Sequence, residues 1–119
     1  EEGRQGGLCA SVVLTPTNAV TAFEIGNRPA QINGQPVSEL WGAFPFTSPF
    51  NVAGVPAASI PIGLAHGMPV GMQVVMKIGR DEDLLNVCEE LEEAFAFDLS
   101  ALKRRWQLQT AHQWQVPSE

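Results

Sequence analysis

Basic residues are scarce in this chain: Lys and Arg number 7 against 13 Asp and Glu, for a net charge of −6. No basic stripe is available to neutralise phosphates, which argues against a nucleic-acid partner. The one basic cluster, Lys103-Arg104-Arg105, suits the last turn of a helix, where the macrodipole favours cations. Cysteine is limited to Cys9 and Cys88, without ligand or redox spacing, as expected of reduced, packed thiols in a cytoplasmic protein. Histidine is limited to His66 and His112, neither with a second ligand nearby in sequence, so no metal centre is expected. No G-x-x-x-x-G-K or G-x-G-x-x-G cradle occurs, and no cofactor is expected. No apolar run approaches the ~18 residues of a membrane span. No secretory leader is visible, which gives a cytoplasmic expectation without a membrane partner. Methionine is absent before Met68, and the chain is therefore expected to be a segment of something larger.

What remains is globular in kind, with 45% hydrophobic and 17% charged residues over 119 positions. A chain of this length buries roughly two thirds of its unfolded surface. The most unusual stretch, FPFTSPFNVAGVPAASIPIG at 44–63, is apolar yet carries Pro45, Pro49, Pro56 and Pro61. Proline lacks the backbone N–H, so a long helix and a regular central strand are both excluded there. Ser48 is placed as the N-cap of a short helical turn, with Pro49 at its first position and Gly54 as its left-handed end. Ala57–Ile62 then predicts a buried strand, with Pro61 near an edge or bulge. Surface loops are rarely so apolar, and this one is expected to lie against other structure.

Elsewhere, Ala10–Leu14 predicts a short buried strand. Residues 18–40 read as a long irregular connection that wraps over other structure. Ala65–Met68 predicts a hairpin turn into a strand, Val70–Met76, whose alternation has apolar residues on both faces. A helix is predicted from Asp81, with acids in its first turn and an apolar stripe of Leu84, Cys88, Leu91 and Phe95, widened by Leu85, Val87 and Ala94. A shorter helix is predicted from about Asp98 to Trp106. The fold class is α/β.

Residue chemistry alone supplies no active site. Glu89, Glu90, Glu92 and Glu93 read as a solvated helix face rather than an acid–base pair. Ser100 and Lys103 have S-x-x-K spacing, but the S-D-N and K-T-G elements that support such a serine are missing, and capping explains Ser100 more simply.

Three runs of residues then carry a resemblance. They are Leu14-Thr15-Pro16-Thr17; Phe46-Thr47-Ser48-Pro49-Phe50-Asn51 with Gly54, Pro56-Ala57, Ser59-Ile60-Pro61 and Gly63; and Gly67 with Pro69-Val70-Gly71 and Gln73-Val74-Val75. In this order and separation, continued by Asp81 and Leu84-Leu85, the chain resembles the C-terminal part of amidase signature enzymes over residues 9–95. The resemblance implies part of a mixed β-sheet covered by helices, with 1–119 a single partial domain. It implies hydrolysis of carbon–nitrogen amide bonds by a serine, a second serine in a cis peptide, and a lysine. Those residues lie in a lysine-bearing region and a Gly/Ser-rich segment that have no counterpart here, so no catalytic residue is expected in this chain. The implied partners are a small-molecule amide substrate and an N-terminal catalytic part. A module completing a split amidase and a self-associating homodimer are the alternatives.

The resemblance also implies that the Pro-rich stretch helps wall the substrate pocket. In the glutaminase subunit of tRNA-dependent amidotransferases, an acidic residue shortly before the Phe-Thr element holds the substrate's amino group. Phe44 stands at that place here, with Trp41 one helical turn away. Trp41 and Phe44 are the candidate substrate-binding residues, and they favour an apolar or aryl amide over glutamine, as in stand-alone amidases. Ordinary core packing is the alternative for both.

Overall fold

The computed structural model describes residues 12–101, 103, 104 and 107. In chain order its elements are β1 (Val13–Pro16), β2 (Gln31–Ile32), β3 (Gln35–Pro36), α1 (Ser48–Ala53), β4 (Ala57–Ala65), β5 (Met68–Val75) and α2 (Asp81–Phe95). Beyond α2, Ser100, Ala101, Lys103, Arg104 and Gln107 are helical, within the shorter helix expected there. Strands and helices together make an α/β arrangement, and the strands described here all pair antiparallel.

β4 and β5 form a hairpin through His66 and Gly67, whose φ values are 52° and 76°. Two successive left-handed residues give the primed turn whose twist matches the flanking strands. Histidine enters that region more readily than most side chains, which accounts for His66 as a turn residue. β1 joins the far side of β5, so the strand order is β1-β5-β4 and the last strand in sequence is central. Val13 faces Val75 and Pro16 faces Met72 across that ladder. Pro61 lies on edge strand β4 at a register slip between Pro61 and Gly63, the edge and bulge that its missing donor requires. Because the slip absorbs the proline, β4 continues past Ile62 to Ala65.

One face of the sheet is covered by α2. Ile60, Val74, Met76, Leu84 and Cys88 are buried together, flanked by Ala58, Ile62, Met72, Val87 and Leu91. Each large apolar side chain buried in this way contributes about 1.5–3 kcal/mol. Leu85 does not join them and is exposed. One residue advances a helix by about 100°, which turns Leu85 away from the face that Leu84 presents. Asp81, Glu82 and Asp83 occupy the first turn of α2, and Arg80 ahead of it pairs with Asp83. The helix ends at Ala96, held left-handed at φ 47°, with its N–H donating to the Glu92 carbonyl. No described helix is long and apolar enough to cross a membrane.

Three local expectations require correction. The short strand expected to be buried at Ala10–Leu14 is β1, at Val13–Pro16 among the described residues, and as an edge strand it leaves Val13 and Leu14 exposed. The connection 18–40 is not wholly irregular, because β2 and β3 pair around Asn33 and Gly34 at φ 52° and 73°. Asn-Gly favours the same primed turn as His66-Gly67, and it outweighs the few apolar anchors nearby. In α1 the N-cap is Thr47 rather than Ser48, although Gly54 ends the helix at φ 67° as expected. Both hydroxyls are drawn backwards, Thr47 Oγ1 and Ser48 Oγ each donating to the Phe44 carbonyl at 3.4 Å.

The second face of β5 is also covered. Gln73 and Val75 are buried on the side opposite Val74. The covering chain there comes from the Pro-rich stretch, since the Gln73 amide reaches the Phe46 carbonyl.

Candidate functional site

The candidate site is built on the turns that precede α1. Ser38 opens them: its Oγ accepts the N–H groups of Leu40 and Trp41 at 3.3 and 3.4 Å. The Gly42 N–H then donates to the Ser38 carbonyl at 2.7 Å, and the Phe44 N–H to the Trp41 carbonyl at 2.9 Å. Glycine is required at 42, where a Cβ would meet Val37 Cγ2 at 2.5 Å and the Ser38 carbonyl at 2.6 Å. This winding brings Trp41 and Phe44 to one cleft of about 820 Å3, whose other apolar walls are Val37, Pro45, Pro49 and Val52. Its remaining lining, which includes Ile32, is uncharged, and no charged side chain lines it among the described residues.

Phe44 is half-buried, and its ring leans on that of Phe23 at a centroid distance of 6.4 Å and an angle of 50°. Trp41 remains 62% exposed. The two residues singled out in the sequence therefore line the same cleft. Val37 lies outside the residues the sequence singled out, whereas Pro49 and Val52 belong to the Pro-rich stretch and stand one helical turn apart on α1, sharing a face.

A second, more polar cleft of about 780 Å3 adjoins the first, with Ala19, Ile32 and Asn33 lining both. Within it Thr17 Oγ1 and Ser59 Oγ lie 2.6 Å apart. They meet above Gly71, where a Cβ would come within 2.6 Å of the serine oxygen and 2.9 Å of the threonine oxygen. His66 also lines this cleft.

Other sequence candidates find ordinary partners. The Ser100 hydroxyl donates to Asp98 at 2.8 Å and accepts from the Arg104 guanidinium at 3.2 Å, while the Ser100 N–H also donates to Asp98. These hydrogen bonds hold the Asp98 carboxyl below its usual pKa range. Cys88 is buried, and burial first, then the Glu92 carboxylate, pushes its thiol pKa up. Among the described residues no group of three or more His, Cys, Asp and Glu could hold a metal ion. Cys9 and His112 lie outside the described residues.

The amidase family model matches residues 7–85, a span that includes β1, both clefts, the β4–β5 hairpin and the start of α2. This chain belongs to the amidase family. The amidase segment is 39% identical over 87 residues to a glutamyl-tRNA(Gln) amidotransferase subunit of Caldanaerobacter subterraneus subsp. tengcongensis, covering 73% of this chain and 17% of that protein. Against the subunit of the same name from Clostridium novyi, identity is 35% over 85 residues, covering 71% and 16%. Among solved structures, a bacterial aryl acylamidase of the amidase signature family is similar, with 37% identity, a TM-score of 0.49, and coverage of 61% of this chain and 15% of that one. The amidase chain thus spans about one sixth of the length of the curated relatives it matches.

Proposed function

We propose that this amidase segment supplies a substrate-pocket wall for hydrolysis of the carbon–nitrogen bond of an apolar or aryl amide. The observation that carries the reading is the cleft of Trp41, Phe44, Val37, Pro45, Pro49 and Val52, which no charged side chain lines among the described residues. A free amino acid such as glutamine would bring an ammonium into that cleft without a carboxylate to receive it. A hydrogen bond to a charged group contributes about 1.5–3 kcal/mol, and its absence disfavours such a substrate. An aryl or alkyl group instead exchanges water for aromatic and proline surface.

The chemistry itself falls to residues outside 1–119 in this reading. A serine oxygen attacks the amide carbon, the amine leaves with a proton, and water releases the acyl group as a carboxylic acid. The Ser100 hydroxyl donates to the Asp98 carboxylate, whose lowered pKa makes it a poor base for activating a serine, and the Thr17 and Ser59 hydroxyls bond each other. The catalytic part is therefore the partner of this segment, in the cytoplasm. The exposed apolar side chains of Val13 and Leu14 on edge strand β1, and of Val52 on α1, support burial against that partner or against a second copy.

Phe44→Asp in the complete enzyme tests the pocket. Specificity constants for a neutral anilide and for an amino-acid amide are compared in wild type and variant. The anilide is expected to lose more than tenfold while the amino-acid amide loses less, because the new carboxylate can pair with its ammonium. An unchanged ratio in a folded variant would remove Phe44 from the pocket.

A further inference from the structure

We propose that Gln73 is a positioning residue, holding the Phe44–Ser48 wall of the apolar cleft to the sheet through the Phe46 carbonyl. The role rests on reading that cleft as the substrate pocket. Gln73 is 4% exposed, the one buried polar side chain among the described residues. Its amide nitrogen has two hydrogens and spends both, donating to Thr15 Oγ1 and to the Phe46 carbonyl, each at 2.8 Å. The first bond stays within the sheet, where Thr15 and Gln73 are register partners. The second leaves the sheet and crosses 27 residues of sequence.

Among the described residues that second bond is the one long-range tie within 44–48, although the Ala43 carbonyl just before them accepts the Ala19 N–H at 3.0 Å. Every other hydrogen bond described for residues 44–48 is local: Phe44 to Trp41, Thr47 and Ser48 to Phe44, and Phe50 and Asn51 to Thr47. Pro45 and Pro49 have no N–H with which to add one. Phe46 lies between Phe44 and Pro45 on one side and Ser48 and Pro49 on the other, and all four line the cleft. Moving the Phe46 carbonyl therefore moves the wall. An amide buried between Met72 and Val74 in the central strand would be costly unless both donors were used, and both are.

Gln73→Glu separates positioning from bulk. It keeps the side-chain length but turns a donor into an acceptor facing a carbonyl, and protonation restores one O–H donor. β1, β4 and residues 44–53, the described segments packed around position 73, contain no titratable side chain, so among the described residues the new carboxyl alone titrates there. Two readouts follow on the full chain: the Phe46 carbonyl 13C resonance, and affinity for the uncharged probe 4-nitroacetanilide. At pH 8 the variant's resonance is expected to shift and its affinity to fall about tenfold, the worth of one well-made hydrogen bond. Both should return towards wild type on acidification, with a midpoint above the usual glutamate range, because burial disfavours the carboxylate. Wild type should show no such pH dependence. Gln73→Met, without donors, should be weakened equally at both pH values.

If Gln73→Glu does not fold, the wild-type scalar coupling between Gln73 Nε2 and the Phe46 carbonyl carbon decides, and its absence overturns the proposal. A Phe46 resonance indifferent to Gln73→Glu in a folded chain also overturns it. An anilide that fails to bind wild type defeats the pocket reading alone, because the carbonyl resonance still reports whether Gln73 holds the wall.

Discussion

Gly71→Ala probes the fit between the central strand and the hydroxyls that meet above it. The new methyl would lie 2.6 Å from Ser59 Oγ and 2.9 Å from Thr17 Oγ1, which are themselves bonded at 2.6 Å. Ser59 is exposed, so its hydroxyl can turn aside about χ1, but only by giving up its bond to Thr17. Overpacking of this kind costs about 1–3 kcal/mol. Separating the hydroxyls adds about 0.5–1.5 kcal/mol. Alanine recovers about 0.5–1 kcal/mol of the entropy that glycine loses in a strand. The net expectation is a destabilisation of about 1–3 kcal/mol, read as a lower urea midpoint at constant m-value. Ser59→Ala removes the nearer oxygen, so the double variant should be less destabilised than the sum of the singles by about 1–2 kcal/mol. Gly63→Ala is the control: nothing lies within 4 Å of a Cβ there, and the change should be neutral or stabilising. A Gly71→Ala chain as stable as wild type, or strict additivity with Ser59→Ala, would refute the reasoning.

Ala96 ends α2 in the left-handed region, which costs a non-glycine residue about 1–2 kcal/mol. Ala96→Gly should raise the urea midpoint by the equivalent of about 0.5–1 kcal/mol after glycine's entropy is deducted; a lower midpoint would show that the strain is not real. The Asp98 carboxyl is held below its usual range by Ser100, so its contribution is present above the unfolded pKa and lost as pH falls through the lower folded value. Carboxyl and Ser100 amide resonances should titrate together below the ordinary aspartate range, and Ser100→Ala should move the Asp98 midpoint upwards. Cys88, buried with its thiol pKa raised, should resist a thiol-specific disulfide reagent at pH 8 until denaturant unfolds the chain, measured in a Cys9→Ser background. Rapid labelling of the native chain would place Cys88 outside the core.

The parts of this fold that are legible in the sequence are those whose signal is local. The α2 stripe from Leu84 to Leu91, the acids before it, Gly54 as a helix end and the hairpin turn at His66-Gly67 each follow from residues within a few positions of one another. Pro61 predicts its own bulge because a missing donor can be tolerated in few places. The Asn33-Gly34 turn is equally local, but so few apolar residues flank it that its signal merges with the surrounding loop. Trp41 and Phe44 are legible as candidates through resemblance, whereas the cleft around them is not. Val37, Pro49 and Val52 meet them only through tertiary placement. Gln73 reads as the polar member of an alternating strand, and nothing near it in sequence announces that the Phe46 carbonyl will bury it.

The strand order has a consequence in time as well as in space. β4 and β5 can pair as soon as a two-residue turn forms, an event of microseconds in isolated hairpins. β1 can reach the other edge of β5 only after the long connection between them closes, as the separation of 58 residues between Thr15 and Gln73 measures. Before β4 begins, that connection supplies the whole lining of the first cleft and part of the second's, the rest of which comes from β1, β4 and β5. The hairpin with α2 is therefore expected to form before either cleft is complete, and mild denaturation is expected to open the clefts first, which amide exchange would read. The same asymmetry puts the apolar cleft in the segment whose amides are expected to exchange with water first, where a ligand bound in it would protect them most.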